Sequence, residues 1–239
     1  MKLYKILGVN CFHINSVSDV KDFIKDFIVS ENGGYSLAIN AEKIMMYTKD
    51  SVFIEIMDGS VLPIPDGSGA TIGMKILYNI KSIKLDLPKT IFESANENNF
   101  SFFMLGATEK VNSKAKKVLI DKYPNINLLG RQNGYFEDES IVFDKIKKLN
   151  PQIVMIAMGS PKQEKLAAKL HELIPSALLI GCGGALNILT GEVKRAPIFY
   201  QKNHLEWFYR LLKEPSRFKR QLILPIFLLK LIIEKYKRK

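Results

Sequence analysis

Short apolar runs recur along this chain, most of them ending at a glycine, and stretches with apolar residues every three or four positions lie between them. Tyr35–Ile39 predicts a strand that leads through Asn40 into a helix over Ala41–Thr48. Phe100–Leu105 predicts a second strand ending at Gly106, with a helical pattern over Ser113–Lys122 closed by Pro124. Ile126–Leu129 before Gly130, Ile153–Ala157 before Gly159 and Ala177–Ile180 before Gly181 repeat the unit, and Lys162–Leu173 supplies another helix. Fully apolar strands alternating with helices mark a parallel sheet whose crossovers cover both faces. The expected fold class is therefore α/β: a Rossmann-like body with a largely parallel sheet and crossover helices. Ligands of such sheets bind outside the carboxyl ends of the strands, which makes the loops after the strands the place to look for chemistry.

The pattern changes in the last forty residues. On a helix, Trp207 and Leu211 fall on one stripe while Arg210, Lys213, Arg217 and Arg220 cluster on another. Arginine offers a planar fork of donors that meets two phosphate oxygens at once. The stretch Leu222–Ile233 is then nearly all apolar, broken by Pro225 and Lys230. It is much shorter than the ~20 residues a membrane-crossing helix needs. With Lys235, Lys237, Arg238 and Lys239 behind it, this segment reads as a helix lying on an anionic membrane surface. The competing reading packs the same face against a second copy as a homo-oligomer. The expected division is an α/β body over 1–199 and a C-terminal helical appendage over 200–239.

The chain has 239 residues, 47% of them hydrophobic, enough for one good-sized core. Its net charge of +11 is concentrated after Tyr200, where Glu206, Glu214 and Glu234 are the only acids. No recognition helix, zinc spacing or aromatic RNA-binding motif accompanies that charge, so no nucleic acid is expected and the charge is read as local, for phosphate or lipid. Only Cys11 and Cys182 occur, far apart, which points to a reducing compartment. The start, MKLYKILGVNCF, lacks the features of a signal peptide. The expected location is cytoplasmic, peripheral at the inner face of the cell membrane.

Among the strand-end loops, Gly106 opens a junction that can aim backbone N–H groups at phosphate. The GxGxxG and GK[ST] spacings are absent, which argues against dinucleotide binding and ATP hydrolysis. Gly181, Gly183 and Gly184 in GCGGALNILTG allow close ligand approach, or simply a tight turn. No DxD, HExxH or Cys/His cluster is present, so no metal and no cofactor are expected. His13, His171 and His204 show no triad spacing, and FEDES (136–140) reads as a solvated loop. Asp66, between Pro65 and Gly67, sits in a turn; an ordinary structural turn is the plain alternative to a catalytic carboxylate.

Together these segments resemble the WecG/TagA/CpsF glycosyltransferases. The ordered series is AINAEKI (38–44), PDG (65–67), MLG (104–106), YP followed by GRQNGYF (130–136), MGSPKQE (158–164), GCGGALNILTGEVKRAP (181–197) and HLEWFYRLLKEPSRFKR (204–220). The resemblance implies a metal-independent, inverting transfer of a sugar from a UDP-sugar to a polyprenyl-diphosphate-linked sugar at the cytoplasmic membrane surface. Similar proteins build teichoic acid, enterobacterial common antigen or capsular polysaccharide, often moving N-acetylmannosamine or its uronic acid. By this resemblance Asp66 is the general base, and Asn40 and Gln163 line the donor pocket. Arg210, Arg217 and Arg220, with Arg195 as a further candidate, meet the diphosphate.

The chain departs from the family pattern in three places. Ala38 stands where threonine is frequent, Asn187 where aspartate is, and KSIKLDL (81–87) carries Lys81 or Lys84 in place of an arginine. These departures bear on which sugar is donated more than on the class of reaction. Two rival classes are a non-catalytic membrane-surface protein that binds nucleotide-sugar or lipid diphosphate, and a basic nucleic-acid-binding protein with a steep salt dependence.

Overall fold

The structure is a computed structural model that describes residues 1–47, 51–202, 206–213 and 222–238. A hairpin opens the chain, β1 (Lys2–Ile6) pairing antiparallel with β2 (Val9–His13). Helix α1 (Val17–Val29) follows, its first turn capped by Ser16, whose hydroxyl accepts the Asp19 N–H. Next come β3 (Gly34–Ile39), α2 (Ala41–Met46), α3 (Ser51–Asp58), β4 (Leu62–Pro65), α4 (Gly67–Tyr78) and α5 (Leu87–Asn98). The second half runs β5 (Ser101–Gly106), α6 (Glu109–Lys122), β6 (Asn127–Gln132), α7 (Glu139–Leu149), β7 (Ile153–Ala157), α8 (Lys162–Leu173) and β8 (Leu178–Gly181). Four helices close it: α9 (Ala185–Leu189), α10 (Ile198–Lys202), α11 (Glu206–Lys213) and α12 (Ile223–Lys237).

Strands β3 to β8 form one six-stranded sheet in the order β4-β3-β8-β7-β5-β6, with every pair parallel. Alternate residues feed two cores on its opposite faces. Leu37, Phe103, Leu105, Val154, Ile156 and Leu179 join one core, with residues of α2, α3, α4, α7 and α8. Leu62, Ile64, Phe102, Met104, Ile153, Met155 and Ile180 join the other, with residues of α1, α5 and α6. The central strands are buried on both sides, which is why they read as unbroken apolar runs instead of an alternating pattern.

The sequence pattern identifies the inner strands and α8, and it passes over the hairpin, β4, α1, α3, α4, α5 and α7. Helices α1, α5 and α7 bury only a narrow stripe among charged residues. In α1 it is Val20, Ile24 and Ile28, and in α7 Val142, Phe143 and Ile146. FEDES is the start of α7, not a plain loop: Asp138 caps it by accepting the Ser140 N–H. Helix α6 begins earlier than the pattern indicates because Thr108 caps it through the Val111 N–H. Helix α2 is shorter, ending at Met46, and Thr48 lies outside the described residues.

The last helix is part of the body's packing. Helix α12 lies against α4 and α2, and Phe227 and Leu231 are buried in the same core as Leu37 and Leu166. Pro225 does not interrupt it, because it sits in the first turn, where a missing N–H costs no intrahelical bond. The other face leaves Ile226, Leu229, Ile233 and Tyr236 exposed along one stripe. Among the described residues no helix is long and apolar enough to cross a membrane. Phe227→Ala should lower the unfolding free energy by about 3–5 kcal/mol in a denaturant titration. Leu229→Ser, on the exposed stripe, should stay within about 0.5 kcal/mol of the parent.

Candidate functional site

A sheet with every strand parallel presents all its carboxyl ends along one edge. Read across the sheet order, that edge carries Asp66 after β4, Asn40 after β3, Gly183 after β8, Gln163 after β7 and Gly106 at the end of β5. Gly181 closes β8 itself. Six of the candidates, spread from position 40 to position 183 of the sequence, thus share one rim.

Asp66 and Asn40 are neighbours because their strands are. Ile39 pairs with Pro65 at the ends of β3 and β4, and the Asp66 N–H donates to the Ile39 carbonyl at 2.8 Å. Asn40 caps α2, its Oδ1 accepting the Lys43 N–H at 3.0 Å. Asp66 occupies the corresponding cap position of α4 in extended backbone, yet its side chain makes no capping bond. An aspartate at a helix start ordinarily accepts an N–H from the first turn. Here the carboxylate is exposed instead, beside Asn40.

Behind this pair lies a buried polar array. Lys43 Nζ meets Glu164 Oε1 at 2.8 Å, with both side chains almost wholly buried. Gln163 Nε2 donates to the same oxygen at 3.1 Å, and Gln163 Oε1 accepts the Gly183 N–H at 2.8 Å. Gly181 has no side chain because Gln163 occupies the space: a Cβ there would lie 2.9 Å from Nε2. Glu164 Oε2 is buried without a protein partner.

The other half of the rim surrounds the point where the strand order reverses. From β5 the chain crosses through α6 on one face to β6, and from the adjacent β7 it crosses through α8 on the other face to β8. Oppositely directed crossovers leave a crevice between the two strand ends, the usual ligand position in an open α/β sheet. Gly106 stands there with φ +116°, and a Cβ would clash at 2.4 Å with the Ala157 carbonyl oxygen. Asn112, fully buried, ties the crevice wall together: Nδ2 donates to the Gly106 carbonyl at 2.8 Å and the Gln132 carbonyl at 3.0 Å. Its Oδ1 accepts from Arg131 at 3.2 Å. Arg131 also pairs with Glu109 at 2.6 Å, and Asn133 donates to Glu109 at 3.0 Å. These bonds, Arg131 first and Asn133 second, hold the Glu109 carboxyl down at about 2.

Of the arginine candidates, Arg195 is the one whose side chain the structure describes. Arg195 pairs with Asp86, and its Nε lies 3.8 Å from Glu206 Oε1. Glu206 also pairs with Lys84, one of the two lysines of the KSIKLDL segment. The KSIKLDL segment, the loop before α10 and the start of α11 are joined by these charges. Arg210 falls within α11, with its side chain outside what the structure describes, and Arg217, Arg220 and His204 lie outside the described residues. The residues that sequence reading does not single out are Lys43, Glu164, Asn112 and Arg131. Three sit inside quoted segments, AINAEKI, MGSPKQE and GRQNGYF, but nothing in a sequence says which of their side chains meet.

The sequence model of the Glycosyl transferase WecG/TagA/CpsF family matches residues 4–239. The chain belongs to this glycosyltransferase family. It is also 31% identical, over 242 residues, to the N-acetylglucosaminyldiphosphoundecaprenol N-acetyl-beta-D-mannosaminyltransferase of Bacillus subtilis (strain 168), an alignment that covers 100% of this chain and 94% of the relative. For this member of the WecG/TagA/CpsF family, the segments that carry the likeness are those the sheet gathers: AINAEKI, PDG, MLG and MGSPKQE each end at or follow a strand terminus.

The Glu109–Arg131 pair gives this wall a defined response to acid. The folded carboxyl titrates at about 2, against 4.5 as its ordinary value. Its folded value is depressed, so the pair's stabilisation is fully present above pH 4.5 and is lost as pH falls through about 2. Carboxyl NMR should show the Glu109 midpoint near 2, and Arg131→Ala should move it up toward the ordinary range.

Proposed function

We propose that this member of the family transfers a sugar of the N-acetylmannosamine type from a UDP-sugar to a polyprenyl-diphosphate-linked sugar, with inversion and without a metal ion. The observation that carries this reading is the exposed, uncapped carboxylate of Asp66 beside Asn40, on the rim to which the family's segments converge. The relative's name specifies N-acetylmannosaminyl transfer to an N-acetylglucosaminyl diphosphoundecaprenol, which supports both the acceptor class and the kind of sugar.

In the reaction, the acceptor hydroxyl attacks the anomeric carbon from the side opposite the diphosphate. Asp66 takes the hydroxyl proton as the new carbon–oxygen bond forms. The bond to the diphosphate oxygen breaks with its electron pair, and UDP leaves; a single displacement inverts the centre. Asn40 offers an uncharged amide to the donor, while Gln163, Gly181 and Gly183 shape the donor pocket and Gly106 opens the crevice to the nucleotide phosphates. The charge that develops on the leaving diphosphate needs fixed donors. Arg210, Arg217 and Arg220 are assigned that part, and Arg195, which pairs with Asp86 and Glu206, is the further candidate.

The acceptor is lipid-linked, and the exposed stripe Ile226, Leu229, Ile233 and Tyr236, with Lys230, Lys235 and Lys237 nearby, gives the protein a surface for the inner face of the membrane. Because Phe227 and Leu231 are core residues, removing the whole tail would open the core, so anchoring is better tested by changing the stripe alone.

With a panel of UDP-sugars and a short-chain lipid-diphosphate acceptor, the wild-type chain should release UDP, and chelator should not slow it. Asp66→Asn should keep donor binding and lower turnover by ~100-fold or more. Near-normal turnover of that variant would remove Asp66 from the mechanism, and donor binding without transfer by the wild type would make the chain a binding protein.

Anchoring and diphosphate binding should separate by mutation. Leu229→Ser/Ile233→Ser should lose binding to anionic vesicles and keep transfer to the soluble acceptor. Arg217→Ala/Arg220→Ala should lose transfer on the soluble acceptor as well; full activity there, with loss only on vesicles, would make these arginines membrane contacts.

A further inference from the structure

The buried Lys43–Glu164 pair stands out as a costly feature with no evident structural need. Two charges removed from water lose hydration that their attraction barely restores, and a matched apolar pair usually serves stability as well or better. What the pair does do is connect the rim. Lys43 leaves the start of α2, next to β3, while Gln163 and Glu164 leave the start of α8, next to β7. Strand β8 lies between β3 and β7, so these side chains meet across the end of β8, under the Gly181–Gly184 loop.

The hydrogen bonds form one chain across that gap. Asn40 Oδ1 accepts the backbone N–H of Lys43, the Lys43 ammonium holds Glu164 Oε1, and that same oxygen accepts from Gln163 Nε2. With its nitrogen turned to Glu164, the Gln163 amide has only its oxygen to offer the Gly183 N–H, and that bond is the one observed. Were the amide turned over, two oxygens would face each other at Glu164 and two N–H groups at Gly183.

We infer that Lys43 and Glu164 are positioning residues for sugar transfer: the ion pair fixes the amide orientation of Gln163, which holds the Gly183 loop in register with Asn40 on the donor side of the site. Neither residue is a catalytic residue; both act through Gln163. The inference rests on the functional reading for its kinetic consequence only, because the clamp on Gly183 is itself a property of the free protein.

Backbone amide exchange at Gly183, read without substrate, is the direct test. In Lys43→Met/Glu164→Leu, which leaves no buried charge, the protein should stay folded, Gly183 exchange should rise ~10-fold or more, and kcat/KM for the donor should fall ~10–100-fold. Added to Gln163→Ala, the same double change should cost less than a further ~2-fold, because its effect passes through Gln163. Unchanged Gly183 exchange in the folded double variant, or losses that multiply with those of Gln163→Ala, overturns the inference. Glu164→Gln lowers stability by leaving the Lys43 charge uncompensated, but the ammonium still turns an acceptor oxygen toward Gln163, so the folded variant should hold both Gly183 exchange and transfer within ~3-fold of wild type. A loss in that variant as deep as in Gln163→Ala overturns the positioning role, even if the apolar double variant does not fold. A wild-type chain that releases no UDP undoes the functional reading alone, and leaves the Gly183 measurement to decide the clamp.

Discussion

The constraint on which the rest depends is that the six-stranded sheet is entirely parallel and covered on both faces. A parallel strand cannot turn straight back into its neighbour, so each connection must cross a face as a helix. Helix coverage on both sides makes the strands uniformly apolar, and parallel direction places every strand's carboxyl end on one edge. Asp66, Asn40, Gly183, Gln163 and Gly106 meet there for that reason. The loops along that edge are the part of each strand–helix unit not engaged in the core.

On that rim, polar groups are arranged in two different ways. The wall near Gly106 is held by Asn112, which satisfies two backbone carbonyls and accepts from Arg131. The part of the rim at the end of β8 is held by a buried charge pair that reaches Gly183 through Gln163. Asp66 differs from both: it occupies a cap position and does not cap. Withheld from its local backbone partner, the carboxylate stays exposed on the rim, at the expense of a helix start that lacks its usual side-chain acceptor.

The C-terminal region joins the body through two kinds of contact. Apolar contact comes from Phe227 and Leu231, which enter the core beside α4 and α2. Charged contact comes from Glu206, between Lys84 and Arg195. Folding one face of α12 into the core orients the other, so the exposed stripe has a fixed direction relative to the rim.

The sequence by itself determined the inner strands, the α/β class, the family and the residues that line the rim. Buried parallel strands leave continuous apolar runs, and Asn40, Gln163 and Gly106 close or follow such runs, whereas Asp66 reads only as a turn because the four residues of β4 give no run of their own. It did not reveal α1, α5 or α7, whose buried stripes are narrow and diluted by charge, nor that FEDES begins a helix, since Asp138 caps only when the following turn has formed. Tertiary structure alone decided that Lys43 meets Glu164, 121 positions away by their numbers, that Arg195 faces Asp86 and Glu206, and that one side of the apolar tail is core. Periodicity reports which residues share a face of one element. It carries no information on which elements the fold sets side by side, and a pair of charges is silent in sequence until a strand order brings its two helices to the same edge.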